Sequence, residues 1–356
     1  MRKVSFLLFL VTVFLSIVGL FLIYESSSYT ALFYIGDKFH YIKYQAVWVV
    51  AGIFLSLIVS RFNYKKLYNI SLPLLLITIF LLLVVFVPGL GIKLKGAHRW
   101  IDLRVFLVQP SELLKISLTL YLAAWLSNKE KNRLFAFLIL LFICVFLVAI
   151  EPDLGTALIV GATSIIVYFI SGAKIPEMFF IFATLIIASL ILIKVEPYRV
   201  ARLASFKDFN SGSVSNTSYH VKQILIALGS GNVAGVGIGK SIQKYAYLPE
   251  NTTDSIFAIY AEEMGFIGSL FLIAVLFSQI FLGFLISVNT TNKFGSLLAA
   301  GIITFIGTQT LLNLASQVVL VPLTGVPLPF ISYGGSSMLI NFFSIGILLN
   351  IGNKIT

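Results

Sequence analysis

Leu248-Pro249-Glu250-Asn251-Thr252-Thr253-Asp254-Ser255-Ile256-Phe257-Ala258-Ile259-Tyr260-Ala261-Glu262-Glu263-Met264-Gly265 joins a long polar loop to an apolar helix that carries several carboxylates. Thr252 or Thr253 can cap that helix, which puts Asp254 in its first turn, where unpaired N–H groups and the helix dipole favour a carboxylate. Glu262 and Glu263 lie two turns deeper, in a segment that otherwise reads as membrane-spanning. Carboxylates in hydrocarbon are costly and mark functional sites. At 100° per residue Glu262 lies about 80° from Asp254 and Glu263 points to the opposite side. Glu262 is therefore the expected neighbour of a site at Asp254.

Working outward, 59% of the 356 residues are hydrophobic, 11% are charged and the mean hydropathy is +1.01. Only an integral membrane protein accommodates that composition. The apolar runs are long and do not alternate, as helices crossing a ~30 Å hydrocarbon layer require, which excludes a β-barrel. The expected fold class is an all-α polytopic membrane protein. Cys144 is the single cysteine and falls in an apolar run, so no intramolecular disulfide or cysteine metal cluster is expected. Met1-Arg2-Lys3 and the apolar run Val4 to Tyr24 lack a small-residue cleavage site and read as a first span rather than a signal peptide.

Ten spans are expected, at roughly 4–24, 44–60, 67–87, 111–127, 133–150, 154–171, 176–194, 255–288, 294–321 and 333–352. An even number puts both termini on one side. The segment 255–288 has 34 residues, too many for one perpendicular crossing and too few for two, so it is expected to tilt or to project beyond the surface. With cytoplasmic termini, the inner loops collect Arg2, Lys3, Arg61, Lys65, Lys66, Lys129, Lys131, Arg133, Lys174, Lys293 and Lys354, in line with the positive-inside rule. The outer loops are basic too, with Lys93, Lys95, Arg99 and Arg104 in one and Lys194, Arg199, Arg202, Lys207, Lys222, Lys240 and Lys244 in or beside the other. A net charge of +11 so distributed points to an anionic partner such as a phosphorylated lipid, or to a solvated surface drawn to anionic headgroups.

The loop 195–253, between the seventh and eighth spans, is the only extramembrane segment of any size. Its Val221, Ile224, Leu225 and Leu228 recur with helical period and read as an amphipathic helix on the membrane. No repeats or separate soluble domain are found, so residues 1–356 form a single membrane domain.

Gly235-Val236-Gly237-Ile238-Gly239-Lys240-Ser241 looks like a phosphate-binding loop, but Ala234 stands where that motif needs glycine and no strand precedes it. It reads as a tightly turning glycine loop. His40, His98 and His220 have no zinc spacing. Glu112 and Lys115 are three apart and either neutralise one another or meet a substrate. Arg99 beside Trp100 is either an interfacial anchor or a phosphate ligand with a sugar-stacking ring. Asp153, in the corner Glu151-Pro152-Asp153-Leu154-Gly155-Thr156, caps the sixth span, ligates a cation or holds a basic residue. Gln309, Asn313, Ser316 and Gln317 form a polar stripe that is interhelical glue or a substrate path. The apolar but non-helical loop Val321 to Ser337 must be buried against protein or line a cavity.

Taken in order, Gly96-x-x-Arg99-Trp100-Ile101, Gln109-Pro110-Ser111-Glu112-x-x-Lys115, Glu151-Pro152-Asp153-Leu154-Gly155-Thr156, Leu248-Pro249-Glu250-x-x-Thr253-Asp254-x-Ile256-Phe257-Ala258, Glu262-Glu263-x-Gly265 and Leu328-Pro329-Phe330-Ile331-Ser332-Tyr333-Gly334-Gly335-Ser336-Ser337 resemble the SEDS family, the shape, elongation, division and sporulation proteins that polymerise bacterial peptidoglycan. The resemblance covers nearly the whole chain. It implies ten spans with cytoplasmic termini, an outer-face glycosyltransferase site using lipid II, an essential aspartate at Asp254 and a single-span class B penicillin-binding protein as transpeptidase partner. Gly237-x-Gly239-x-Ser241-x-Gln243-Lys244-x-x-Tyr247-Leu248-Pro249-Glu250 is more similar to the division and sporulation branch (FtsW- and SpoVE-like) than to the elongation branch (RodA-like). The chain departs from the family at Thr252, where histidine is common, and at Ser255, where phenylalanine is common, which bears on acceptor positioning near the acid.

The expected reaction has Asp254 take a proton from the acceptor 4-hydroxyl as it attacks the anomeric carbon of the undecaprenyl-diphosphate-linked glycan, expelling the diphosphate with inversion. An aspartate near its usual pKa of about 3.9 is a weak base, so desolvation or Glu262 has to raise it. In the alternative role Asp254 holds a divalent cation, Mg or Mn, at the diphosphate. Arg99, Lys115 and Lys244 are candidates for stabilising the leaving group, with Trp100, Glu112, Asp153 and Glu262 completing the substrate-binding set. The competing class is a lipid II flippase or transporter, which needs polar groups through the full bilayer depth. The charged motifs gather towards one face instead, which favours interfacial chemistry, and a non-catalytic scaffold leaves the Asp254 region unexplained.

Overall fold

The computed structural model of the protein describes residues 1–94, 97–102, 104, 107–128, 133–181, 183, 184 and 219–355. In chain order these form α1 (Arg2–Ile35), α2 (His40–Arg61), α3 (Leu67–Val84), strands β1 (Gly91–Leu94), β2 (Ala97–Asp102) and β3 (Leu107–Val108), then α4 (Pro110–Ser127), α5 (Leu134–Ile150), α6 (Leu154–Ile170), α7 (Tyr219–Ser230), α8 (Ile256–Asn289), α9 (Lys293–Gln317) and α10 (Gly335–Asn353). Among the described residues, α1, α2, α3 with the turn before it, α8, α9 and α10 are long and apolar enough to cross a membrane, and α5 and α6 are apolar but have 17 residues each. The expected span 176–194 lies mostly outside the described residues, as do residues 195–218 with Lys194, Arg199, Arg202 and Lys207.

α9 packs against α4, α6, α8 and α10, and α4 against α3 and α6. These helices hold the middle of the bundle: α4 buries 14 of its 18 residues. Small residues permit the close approaches, since a Cβ at Gly301 of α9 would lie 3.0 Å from Val167 of α6. The outer helices turn Phe6, Phe54, Phe80, Phe142 and Phe281 outward, a surface suited to hydrocarbon. α1 runs well past its expected end at residue 24, and the buried Ser26 and Ser27 there satisfy their hydroxyls on the Ile23 carbonyl.

The all-α expectation needs one correction. Between α3 and α4 the chain forms a three-stranded antiparallel sheet in the order β1-β2-β3, with Gly91 opposite Ile101 and Ile101 opposite Val108. Alternation explains it: β2 buries Ala97 and Ile101 and leaves His98 and Asp102 exposed.

α7 also departs from expectation. Its buried Val221, Ile224 and Ala227 face protein rather than lipid, as Ile224 and Ala227 join Leu248 with Ala258 and Ile259 of α8 in a small apolar cluster. The two ends of the chain meet at one end of the bundle, where Met1 to Val4 and Asn353 line a common cleft. The sheet, the 151–153 corner and the loops leading to α8 and α10 gather at the other end.

Candidate active site

The 34-residue helix α8 is interrupted at Gly265, whose φ of 66° and ψ of −166° are not helical. In a continuous helix the Phe266 and Ile267 N–H groups would bond the carbonyls of Glu262 and Glu263. Here they donate instead to Asn232 O at 2.9 Å and Val233 O at 3.2 Å, while Val236 N and Gly237 N each donate at 3.0 Å to the Glu262 and Glu263 carbonyls. The glycine loop is thus spliced into the broken ladder and satisfies these two amides and two carbonyls of α8, as a low-dielectric setting demands. Gly235, at φ +83°, cannot be replaced without a clash: its added Cβ would lie 2.6 Å from the Glu263 carbonyl carbon. The phosphate-loop lookalike is glycine-rich for this reason. The break also leaves 266–289 as the long limb of α8, about 36 Å at 1.5 Å per residue, which matches one crossing.

The two glutamates hold the next turn of the loop. Ser241 donates its hydroxyl to Glu262 Oε2, Ile242 N donates to Oε1 at 3.2 Å, and Ser230 Oγ reaches Oε1 at 3.4 Å. Glu263 Oε1 accepts from Ser241 N at 3.4 Å and from Lys244 Nζ at 3.2 Å, and Lys244 also pairs with Glu25 of α1 at 3.1 Å. Burial works against the Lys244 ammonium, but Glu25 and Glu263 outweigh it and raise its pKa. Glu262 and Lys244 therefore frame the loop, and the described hydrogen bonds of Glu262 all run to residues 230–243 rather than to Asp254.

Asp254 sits one residue before the N-cap Ser255, not in the first turn, and neither threonine caps α8: Thr253 Oγ1 donates to Glu250 Oε2 at 2.9 Å. Its backbone carbonyl accepts from Asn313 Nδ2 at 2.9 Å and from Gln317 Nε2, both on α9. Asn313 also donates to Val326 O at 2.8 Å, and Gln309 Nε2 to Pro327 O at 2.9 Å. The polar stripe on α9 thus fixes both the aspartate and the buried loop before α10. The half-buried Asp254 carboxylate lies over that loop, with Oδ2 3.5 Å from where a Gly325 Cβ would stand. The stripe was visible in the sequence as spacing, but what it holds was not.

On the other side of the site, Arg99 of β2 donates through Nε to Glu151 O at 2.9 Å and through a second nitrogen to Pro152 O, capping the end of α5. Asp153 caps α6, accepting from Thr156 N at 3.1 Å and Thr156 Oγ1 at 2.9 Å, and takes Gln109 Nε2 at 3.3 Å. Glu151 is fully buried, its carboxyl oxygens have no hydrogen-bond partner among the described residues, and burial with the nearby Asp153 charge pushes its pKa up to about 9 against the pull of Arg99. Trp100 is half-buried opposite Ile92 in the sheet. Lys115 is buried on α4 between Glu112, at 2.8 Å, and Gln309 Oε1, at 2.7 Å, so its charge is balanced inside the protein. Among the described residues no three acidic, histidine or cysteine side chains converge.

The sequence model of the family described as "Cell cycle protein", that of FtsW, RodA and SpoVE, matches residues 5–356. Similar proteins include stage V sporulation protein E of Bacillus subtilis, 34% identical over 351 residues and spanning 97% of this chain and 96% of that protein. The probable peptidoglycan glycosyltransferase FtsW of Wigglesworthia glossinidia brevipalpis is 37% identical over 357 residues, with 96% and 92% covered. The fold is similar to a chain of the structure described as "Structural coordination of polymerization and crosslinking by a peptidoglycan synthase complex", with TM-score 0.78 and 24% identity over 96% of each chain. It is also similar to the rod shape determining protein RodA of Thermus thermophilus, with TM-score 0.69 and 24% identity over 97% of this chain and 96% of that one. A match over residues 5–356, with relatives above 30% identity along nearly their whole length, means that the chain belongs to the FtsW/RodA/SpoVE family of cell cycle proteins.

Proposed function

We propose that the protein is a peptidoglycan glycosyltransferase that polymerises glycan strands from lipid II at the outer face of the bacterial cytoplasmic membrane, in cell division or cell shape. The observation that carries this is the placement of Asp254: a half-buried carboxylate whose main chain is clamped by two α9 amides beside the loop before α10, at one end of a membrane bundle. Relatives named as probable peptidoglycan glycosyltransferases support the same reading. The described basic residues at the opposite end are Arg2, Lys3, Arg61, Lys65, Lys66, Arg133, Lys174, Lys293 and Lys354, against Glu177 as the described acid, so that end is assigned to the cytoplasm. Ten spans, with the seventh at 176–194 and an outer loop 195–253 in one domain of residues 1–356, complete the topology.

In the reaction Asp254 accepts the proton of the acceptor sugar hydroxyl as the hydroxyl oxygen bonds the donor's anomeric carbon. The bond from that carbon to the diphosphate breaks, and the undecaprenyl diphosphate leaves with the electron pair. Arg99 and Trp100, both half-buried at this end, are assigned to the substrate. Glu112, Lys115, Asp153, Lys244 and Glu262 act on it by holding the frame. In the alternative role Asp254 would hold a divalent cation together with the diphosphate oxygens, since Mg is commonly bound by one or two carboxylates plus substrate phosphates. Loss of polymerisation on chelation, restored by Mg or Mn, would instead establish the cation-holding role of Asp254. A class B penicillin-binding protein is the proposed partner.

The test is glycan-strand formation from labelled lipid II by the purified protein with its cognate transpeptidase. Polymer supports the enzyme. Lipid II crossing liposome membranes with no polymer formed would establish the transporter instead.

A further inference from the structure

A cavity of about 300 Å³ opens at the terminal end of the bundle, remote from Asp254, between Ile58 and Val59 of α2, Phe62 just after it, and Phe343 and Ile347 of α10. Ile58 and Phe62 are exposed, so its mouth faces the surrounding hydrocarbon. Asn350 closes the floor with both ends of its amide engaged, accepting from Tyr64 N at 3.0 Å and donating to Ser60 O at 2.6 Å. The cavity is at the small end of the range in which pockets hold ligands, and its walls are apolar.

The rim carries a different chemistry. Arg61, Lys65 and Lys66 are exposed and interleave with the lining residues Phe62, Asn63, Tyr64 and Leu67. The Lys354 ammonium stands 5.8 Å from the centroid of the Tyr64 ring. None of these four cations belongs to an ion pair among the described residues. The described acid at this end, Glu177, accepts from the Tyr168 hydroxyl at 2.8 Å on α6 instead. An apolar slot open to lipid, ringed at headgroup depth by cations that form no ion pair among the described residues, is complementary to one kind of molecule.

We propose that this is a binding site for an anionic glycerophospholipid, with an acyl chain in the cavity and the phosphate against Arg61, Lys65 and Lys354. A zwitterionic lipid offers the same chain but brings its own cation to the rim. The site is independent of the reaction assigned to Asp254.

The experiment is native mass spectrometry of the full chain released from nanodiscs of equal phosphatidylglycerol and phosphatidylcholine. The wild type is expected to retain phosphatidylglycerol preferentially. Each cation removed in Arg61→Gln, Lys65→Gln and Lys354→Gln lowers that retention about fivefold at low ionic strength, and the triple variant retains the two lipids alike. Ile58→Trp, an exposed change that narrows the mouth, lowers retention with all four cations in place. Equal retention of both lipids by the wild type overturns the proposal. So does a preference that Ile58→Trp leaves unchanged and 0.5 M salt abolishes, on the Debye screening expected of diffuse attraction, with a length of roughly 4 Å at that ionic strength.

Discussion

Replacing Gly235 by alanine tests the splice between the glycine loop and α8. The new Cβ would lie 2.6 Å from the Glu263 carbonyl carbon and 2.7 Å from that of Met264, helix backbone atoms that cannot swing aside. A left-handed φ of +83° adds to the strain, at roughly 1–2 kcal/mol for a residue with a side chain. The loop escapes by withdrawing, which breaks the four cross-bonds at residues 232–237 and 262–267. Two of them are recovered if α8 closes into a continuous helix, so at about 1 kcal/mol per bond the net loss with residual strain is roughly 2–4 kcal/mol. Closure would rotate the stub that leads to Asp254, so turnover falls with the splice. Hydrogen exchange should report deprotection of the 232–237 amides by roughly 30- to 800-fold, with α4 unchanged. Gly229→Ala is the control, because nothing lies within 4 Å of its added Cβ. Wild-type protection and turnover in Gly235→Ala would refute the splice as the element that positions the site.

Three other outcomes follow from the same geometry. Lys115→Met strands the buried Glu112 carboxylate and should cost about 3–5 kcal/mol in detergent unfolding, most of it regained in Glu112→Gln/Lys115→Met; a double variant no more stable than the single contradicts the pairing. Glu151 has a folded pKa raised to about 9, so the folded state holds a proton the unfolded state has released above its ordinary range, and stability falls as pH climbs from about 4.5 to 9. Glu151→Gln should remove that fall, which is at most about 1.4 kcal/mol per pH unit, and parallel melting curves of the two proteins at pH 5 and pH 8 would show the acid is not buried as described. Gln317→Leu removes a donor to the Asp254 carbonyl and should lower kcat about tenfold, for a loss of roughly 1.4 kcal/mol, with KM unchanged; a change confined to KM would place Gln317 on the substrate instead.

The helical membrane architecture was legible because long apolar runs have few physical outcomes. The buried loop before α10 was legible too, since an apolar segment with Pro322, Pro327 and Pro329 can be neither helical nor lipid-exposed. What escaped was long-range. Glu262 read as a neighbour of the site at Asp254 because its spacing on a regular helix was the available geometry. Gly265 breaks that helix, and the carboxylates of Glu262 and Glu263 hold residues 241–244. The pairing of Lys115 with Glu112 was open in the spacing, but the contacts of Lys115 with Gln309 and of Lys244 with Glu25 and Glu263, from 19 to 219 residues away in sequence, were not. The small sheet around Arg99 was missed because its strands are short. The α9 stripe showed its helical spacing at once, but only the fold revealed that Asn313 and Gln317 hold the carbonyl of Asp254.

The most direct measurement is glycan-strand synthesis from labelled lipid II by wild type and Asp254→Asn, each reconstituted with the cognate transpeptidase at equal folded protein. The account predicts polymer from the wild type and none from Asp254→Asn, with both proteins melting alike. Equal polymer from the two would contradict it and remove Asp254 from the centre of the chemistry.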